Sequence, residues 1–422
     1  MIKPIHSTLP NGLKIALIPS KEVETITVQL RGKVGSNYEK EGEIGASHFL
    51  EHLVLKGTKN YPNTKNFSEL ITDIGGKFIG ITSRDDVLYG VHILKEDLES
   101  SLIFLSEILY NALLEEKHVR TLKDVIKQEI LRYNDIPEKL IGRLSYKILY
   151  PENRLSKLNT GDTVDIEKIQ IKTVKDYYQN NYTNNNFLLL LCGNFDLADA
   201  DRLLNKYFYQ ETADNTAENP ILKFNQRFAV QVGQVPTLNQ NYIKVDYEGY
   251  KISEDRKYAA AILSKILNIY LRKQLVEDKG MVYQLNCDSY NSGNYGVFGF
   301  FTATTDGNFK LVLDALKVSS NEINKLLSTR NVNKVKNMLA ANLAFMTEKI
   351  SQRANYYSEL ILFGAEEQEY TYEVEKIRNT GLEELTIVLN EIFSQQPKIT
   401  VLSKRFGKEE VENLWMTKNS QQ

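Results

Sequence analysis

The feature that most limits the possible folds is an order of strands and helices that occurs in both halves of the 422-residue chain. In the first half, strand patterns at 75–82 and 87–93 precede a long apolar helix. In the second half, strand patterns at 281–286 and 295–300 precede the apolar stretch 311–316. A helix-then-strand pattern also closes each half. Two halves with one order of elements predict two similar α+β domains, each a mainly antiparallel sheet covered by helices.

The segment between the halves has the composition of a linker. Residues 210–222 are mostly polar and include Pro220, which interrupts helices and strands. We therefore predict an N-terminal domain at 1–209, a linker at 210–222 and a homologous C-terminal domain at 223–422. The chain length agrees, because a single hydrophobic core rarely extends beyond about 250–300 residues.

A candidate metal-binding motif is the sequence His48-Phe-Leu-Glu51-His52, which holds two of the five histidines of the chain. Apolar residues recur around it at helical spacing and predict an amphipathic helix. Positions four residues apart lie on the same side of a helix, so both imidazoles could bind one Zn²⁺ ion. Glu51 lies on that side too, within reach of a water molecule on the metal. The alternative is a pair of surface histidines without a metal.

A third ligand is offered by Glu129, on a helix that the apolar pattern predicts at 118–134. Glu129 falls on the inward stripe of this helix, together with Val125 and Ile126. A carboxylate that points into a core needs a partner or a metal. The alternative is a buried ion pair with Arg120 or Arg143. The two histidines of the other helix favour the metal.

Composition excludes several other classes of protein. The net charge of −2 provides no electrostatic basis for binding nucleic acid or an anionic membrane surface. No apolar run reaches the roughly 18 residues of a membrane span, and no signal peptide is recognisable at the amino terminus. Cys192 and Cys287 have no metal-ligand spacing, so we expect buried free thiols in a cytoplasmic protein.

The order His-x-x-Glu-His, followed 77 residues later by an inward glutamate, resembles the pitrilysin family of zinc peptidases. This family includes insulin-degrading enzymes and mitochondrial processing peptidases. The resemblance extends over the first half through segments in the family order, namely Leu9-Pro-Asn-Gly-Leu-Lys-Ile15, Gly42-Glu-Ile-Gly-Ala46, Gly75-Gly76 with Thr82-Ser-Arg84, Asp135-x-Pro137, and Tyr182-x-x-Asn-Asn186 leading to Gly193-Asn194. It implies a zinc endopeptidase or oligopeptidase.

In that enzyme, His48, His52 and Glu129 would hold Zn²⁺, and Glu51 would be the general base on zinc-bound water. Non-haem iron oxygenases also use two histidines and a carboxylate. Their carboxylate is commonly close in sequence to the first histidine, and they would leave Glu51 without a role. The resemblance also implies a homodimer, or a heterodimer with a homologous subunit.

The resemblance further implies that an extended peptide adds as a strand to a sheet edge at 77–82, which contains Ile79 and Gly80. Tyr283 of the second half would contact the same substrate. The alternative for Tyr283 is a core aromatic residue.

Several positions depart from the family pattern. Ile79 and Gly80 replace an asparagine and an alanine, and Leu122 replaces a glutamate seven residues before the third ligand. Val276 takes the place of an arginine seven residues before Tyr283. The second half has no histidine and cannot repeat the metal site. We therefore carry a second hypothesis, a weakly active or inactive interaction subunit of the same fold.

Overall fold

A computed structural model describes residues 3–317, 320–365 and 369–417. Contacts divide the chain into two compact units. The first unit contains residues 1–131, 158–220 and 344–371, and the second contains residues 132–157, 221–343 and 372–422. Each unit therefore includes a segment from the other half of the sequence. The domain boundaries at 209 and 223 stay a prediction from composition.

The strands in chain order are β1 (Ile5–Thr8), β2 (Lys14–Pro19), β3 (Thr25–Gly32), β4 (Lys77–Thr82), β5 (Val87–Leu94), β6 (Phe187–Gly193), β7 (Ala229–Gln234), β8 (Asn241–Glu248), β9 (Val282–Asn291), β10 (Gly296–Thr304) and β11 (Lys398–Ser403). The helices are α1 (Ala46–Leu53), α2 (Thr64–Thr72), α3 (Leu98–Tyr110), α4 (Val119–Asn134), α5 (Pro137–Leu149), α6 (Thr163–Lys168), α7 (Ile171–Asn181), α8 (Leu197–Tyr207), α9 (Arg256–Arg272), α10 (Phe309–Ala315), α11 (Ser320–Leu326), α12 (Thr329–Glu348), α13 (Ile350–Leu362), α14 (Tyr370–Asn379), α15 (Leu382–Phe393) and α16 (Lys408–Met416).

The sheet of the first unit has the order β1-β2-β6-β3-β5-β4, and all neighbours are antiparallel except β2 and β6. The Asn11-Gly12 turn joins β1 to β2, and Gly12 adopts a φ of 91° that favours glycine. The sequence pattern over 7–34 predicts a hairpin with the Asn11-Gly12 turn and strands at 13–18 and 25–30, and the pairing of those two strands is wrong. The apolar strand β6 is buried along its whole length, so it lies between β2 and β3.

Helices cover both faces of this sheet. One face packs against a large apolar core that includes residues of α1, α2, α3, α4 and α8. On the other face, α13 packs on β3 and β6. There Ala16, Leu188 and Leu190 contact Ala354 and Ile361 of α13. The central strands β2 and β6 are thus buried on both sides.

The sheet of the second unit has the order β7-β11-β8-β10-β9, with β7 and β11 parallel and the other neighbours antiparallel. This order and these directions match β2-β6-β3-β5-β4 strand for strand. Helix α5, from the first half of the sequence, packs on β11, β8 and β7, as α13 does on the first sheet. The prediction of two similar α+β domains is confirmed.

Two smaller predictions can be compared with the structure. Cys192 and Cys287 are free and buried, as expected. Over the described ranges, the helices are all too short or too polar to cross a membrane.

Candidate metal centre

The two histidines of the motif lie on helix α1, whose apolar side belongs to the core of the first unit. Phe49, Leu50 and Leu53 are fully buried there. His48 and His52 project together from the helix, and their ring centroids are 4.7 Å apart. The helical spacing of apolar residues thus places both imidazoles on one side, as predicted.

Helix α4 brings Glu129 to the same place. Glu129 Oε2 lies 3.2 Å from His48 Nε2 and 3.7 Å from His52 Nε2. Donor atoms of a tetrahedral zinc site, about 2.0–2.1 Å from the metal, lie roughly 3.3 Å from one another. Among the described residues, these three side chains form a group whose donor atoms, all within 4.8 Å, could hold a metal ion. The donor types and their separations therefore fit zinc.

Glu129 lies at the border of the buried side of α4 rather than inside the core. Ile126 and Ile130 are buried, but Val125 is 46% exposed. The prediction that Val125 belongs to the inward stripe is wrong, because the helix buries the stripe 122–126–130 and turns 125 toward solvent. The Glu129 side chain is 32% exposed, which leaves one side of the site open. The site is therefore accessible from solvent.

The charges of the site favour a bound cation. Burial lowers the pKa of His48, but the hydrogen bonds to Glu129 and Glu51 outweigh burial and raise this pKa to about 9. The hydrogen bonds from His48 and His52 lower the pKa of Glu129. Burial raises the pKa of Glu51, yet the interactions with His48 and Thr82 lower it overall. The carboxylates of Glu51 and Glu129 are therefore ionised next to the imidazoles. A bound zinc ion would supply the positive charge that a proton on His48 supplies without it.

Glu51 is buried beside the ligands and is held by the edge strand β4. Its Oε2 accepts a 2.6 Å hydrogen bond from Thr82 Oγ1 and lies 3.4 Å from His48 Nδ1. A Cβ atom placed on Gly80 would be 2.7 Å from Glu51 Oε1. Neither contact is among the predictions made from the sequence. Strand alternation, which turns residues 80 and 82 to one face, is the signal that could have indicated them.

The structure also locates the predicted substrate-binding residues. Strand β4 is an edge of its sheet, and Ile79 is 48% exposed on the face opposite Gly80. Tyr283 lies on β9, the edge of the second sheet, and is 91% exposed, so it is not a core aromatic residue. Val276 packs against the core of the second unit, and Leu122 is buried in the core of the first. Neither apolar side chain can supply the charge of the arginine or glutamate that the family pattern has at these positions.

This combination defines a class of protein, the metallopeptidases with a His-x-x-Glu-His helix and a glutamate from a second helix. Residues 14–161 match the family model of insulinase (peptidase family M16), and residues 168–339 match the model of the peptidase M16 inactive domain. The chain belongs to peptidase family M16, the pitrilysin family. The resemblance found in the sequence is confirmed.

Known relatives agree with this assignment. A protein of Rickettsia felis named as a zinc protease is 27% identical over 363 residues, which are 82% of this chain and 85% of the relative. The mitochondrial-processing peptidase subunit beta of Neurospora crassa is 28% identical over 64% of this chain and 57% of its own. The crystal structure of a protease from Helicobacter pylori has the same fold, with a TM-score of 0.87 at 22% identity over 96% of this chain and 100% of that chain.

Proposed function

We propose that this protein is a zinc-dependent endopeptidase or oligopeptidase that hydrolyses extended peptides. The observation that carries the proposal is the buried Glu51 carboxylate, held by Thr82 beside the group of His48, His52 and Glu129. A structural metal site would need no further acid next to its ligands. The two free cysteines support a reducing compartment, and we propose the cytoplasm.

In this proposal, the side chains of the first unit divide the work of peptide hydrolysis. His48, His52 and Glu129 would hold the metal and leave a position open toward solvent. Zinc, when bound, would polarise the scissile carbonyl group and lower the pKa of a water molecule. Glu51 accepts the proton of the attacking water and then donates it to the leaving amine. Thr82 keeps the Glu51 carboxylate turned toward the site.

The substrate would be an extended peptide that pairs with the free edge of β4. The backbone of an edge strand offers N–H and C=O groups that hold a peptide irrespective of its sequence. Ile79 and Gly80 belong to this edge, and the exposed Tyr283 would contribute a second contact. The exposure of both Ile79 and Tyr283 supports this assignment.

We further propose that the chain works as a homodimer or with a homologous subunit. The Neurospora crassa relative is named as a subunit. Val276 lacks the charge with which an arginine would bind a peptide, and charge-assisted hydrogen bonds are stronger than neutral ones. A partner that supplies an arginine and a tyrosine would complete the contacts. Val276 also favours the second candidate function, an interaction subunit with little activity of its own.

The metal assignment is tested by zinc analysis of the purified chain. We expect about one zinc per chain, none in His48→Ala or His52→Ala, and a severe loss in Glu129→Gln. His118→Ala is the matched control, because His118 is absent from the three-residue group and should leave the zinc content unchanged. Full zinc occupancy in His52→Ala would refute the assignment.

The role of Glu51 is tested by Glu51→Gln. This variant should keep its zinc and its fold while peptide hydrolysis falls about 10²- to 10⁴-fold, since only the general base is lost. Loss of zinc from the same variant would instead identify Glu51 as a ligand.

The two candidate functions differ in the activity of the isolated chain. We expect slow cleavage of an unstructured peptide by the chain alone. Faster cleavage is expected with a homologous partner and, less completely, with Val276→Arg. Native mass spectrometry of the mixture measures pairing. Full activity of the unmodified chain without a partner would refute the partner requirement, and zinc binding without cleavage in any mixture would favour the interaction subunit.

A further inference from the structure

A groove of about 770 Å³ lies in the first unit on the face of the sheet opposite Glu51. Its floor is formed by β3, β4 and β5, and its far wall by α13 and the last turn of α12. Ile79, Ile81 and Leu88 line the floor, and Met346 lies in the wall. A volume of this size is typical of ligand sites, which range from about 300 to 1,000 Å³.

The groove is continuous with the free edge of β4. Residues 77, 79 and 81 face the groove, whereas Gly80 and Thr82 face Glu51. Ile79 and Ile81 are 48% and 49% exposed. Two exposed isoleucines at alternate positions of an edge strand form an apolar surface that soluble proteins usually protect from pairing with other chains. A strand that pairs with β4 would cover them.

A peptide strand on this edge would place its side chains alternately on the two faces of the sheet. Every second side chain would lie directly opposite Ile79 or Ile81, with Cβ atoms about 4.5–5.5 Å apart. Gly90 pairs with Ile79 and has no side chain, so the Ile79 side chain lies over it, where a Cβ atom on residue 90 would be 3.0 Å from Ile79 Cγ1. A long apolar side chain of the peptide can extend over Ile79 into the groove that Met346 also lines.

We propose that this groove is a specificity site for apolar substrate side chains. It selects extended peptides with large aliphatic or aromatic residues at two alternate positions, through Ile79, Ile81 and the wall residue Met346. The proposal rests on the proposed peptidase function, which supplies the peptide strand on β4. Backbone pairing alone does not distinguish one peptide sequence from another, and the groove adds a preference for certain side chains.

The test uses a set of unstructured peptides in which leucine or serine occupies each position in turn, with the cleaved bond mapped by mass spectrometry. We expect leucine to raise kcat/KM about 1.4- to fivefold at each of two alternate positions, the range for a cross-strand pair. In the Ile79→Thr/Ile81→Thr variant this preference should disappear, while preferences at the intervening positions remain. Threonine keeps the β-branched shape suited to a strand.

Two further variants separate the groove from general damage to the fold. Ile5→Thr changes an isoleucine of similar exposure on β1, the opposite edge of the sheet, and should keep every preference. Ser351 is exposed on α13 and lines the groove, so Ser351→Trp narrows the groove without altering β4 and should slow cleavage of leucine peptides but not of serine peptides. The proposal is overturned if the leucine preference survives both groove variants.

Failure of the peptidase function can be recognised separately. If no peptide is cleaved, the same peptides are bound to the Glu51→Gln chain and measured by fluorescence anisotropy. Tighter binding of leucine peptides that is lost with Ile79→Thr/Ile81→Thr supports the groove without the enzyme. Equal binding of leucine and serine peptides, or no binding, overturns the groove as well.

Discussion

Replacing Thr82 with valine tests how the Glu51 carboxylate is positioned. Valine has nearly the shape of threonine but lacks the hydroxyl group that donates to Glu51 Oε2 over 2.6 Å. Thr82 and Glu51 are both buried, so water cannot readily take the place of the lost donor. The carboxylate would keep its neighbours His48 and Gly80 but lose the contact that fixes its orientation.

The expected effect follows from the net strength of a hydrogen bond to a charged group, about 1.5–3 kcal/mol. If this contact contributes in the transition state and not in the ground state, its loss slows hydrolysis about 10- to 150-fold, at 1.4 kcal/mol for each factor of ten. The loss should appear in kcat more than in KM, because Glu51 acts on water rather than on the bound peptide. The zinc content should stay near that of the unmodified chain, since the Thr82 hydroxyl donates to Glu51, which is not one of the three proposed ligands.

The assay is peptide hydrolysis with kcat and KM determined separately, together with zinc analysis and thermal unfolding. Thr82→Ser is the control, because serine keeps the hydroxyl and should restore most of the rate. A purely structural role would lower the unfolding temperature of both variants without separating their kcat values. Unchanged kcat in Thr82→Val at full zinc occupancy would refute the positioning role.

Three further predictions concern the second unit. Lys398 is fully buried, and burial lowers its pKa to about 8. The free energy of unfolding of the unmodified chain, compared with that of Lys398→Met, should therefore rise as pH increases from 7 to 10. The unfolded lysine keeps its proton over this range, and urea titration should show a gain of up to about 3 kcal/mol. Gly299→Ala would place a Cβ atom against the buried Asp246 carboxylate and should cost about 1–3 kcal/mol in urea, whereas Gly307→Ala meets no atom within 4 Å and serves as the control. Tyr283→Ala should change stability by less than about 0.5 kcal/mol but weaken peptide binding measured by fluorescence anisotropy, because Tyr283 is exposed.

Local backbone geometry explains what could be predicted from the sequence. The spacing of His48 and His52 places both rings on one side of any helix that contains them, and their proximity follows without knowledge of the fold. The Asn11-Gly12 turn is also local, since glycine provides the positive φ that the turn requires. The repeated order of elements predicted two similar sheets, because each half must bury the same pattern of apolar residues.

Pairings between distant segments explain what could not be predicted. Strand β6 lies between β2 and β3, more than 150 residues away in sequence, because a strand that is apolar on both faces requires a neighbour on each side. Helices α5 and α13 each cover the sheet of the other half, and no local pattern identifies which sheet a helix covers.

The candidate site combines both kinds of information. From the sequence we predict that two imidazoles and Glu51 share one side of a helix, and that Glu129 falls on the inward stripe of another helix. The contacts of Glu129 with both imidazoles, and of Thr82 with Glu51, arise from the fold. Helical periodicity specifies the direction of a side chain relative to its own helix, whereas the packing of α1 against α4 and β4 determines which side chains meet. That packing depends on the burial of the whole core.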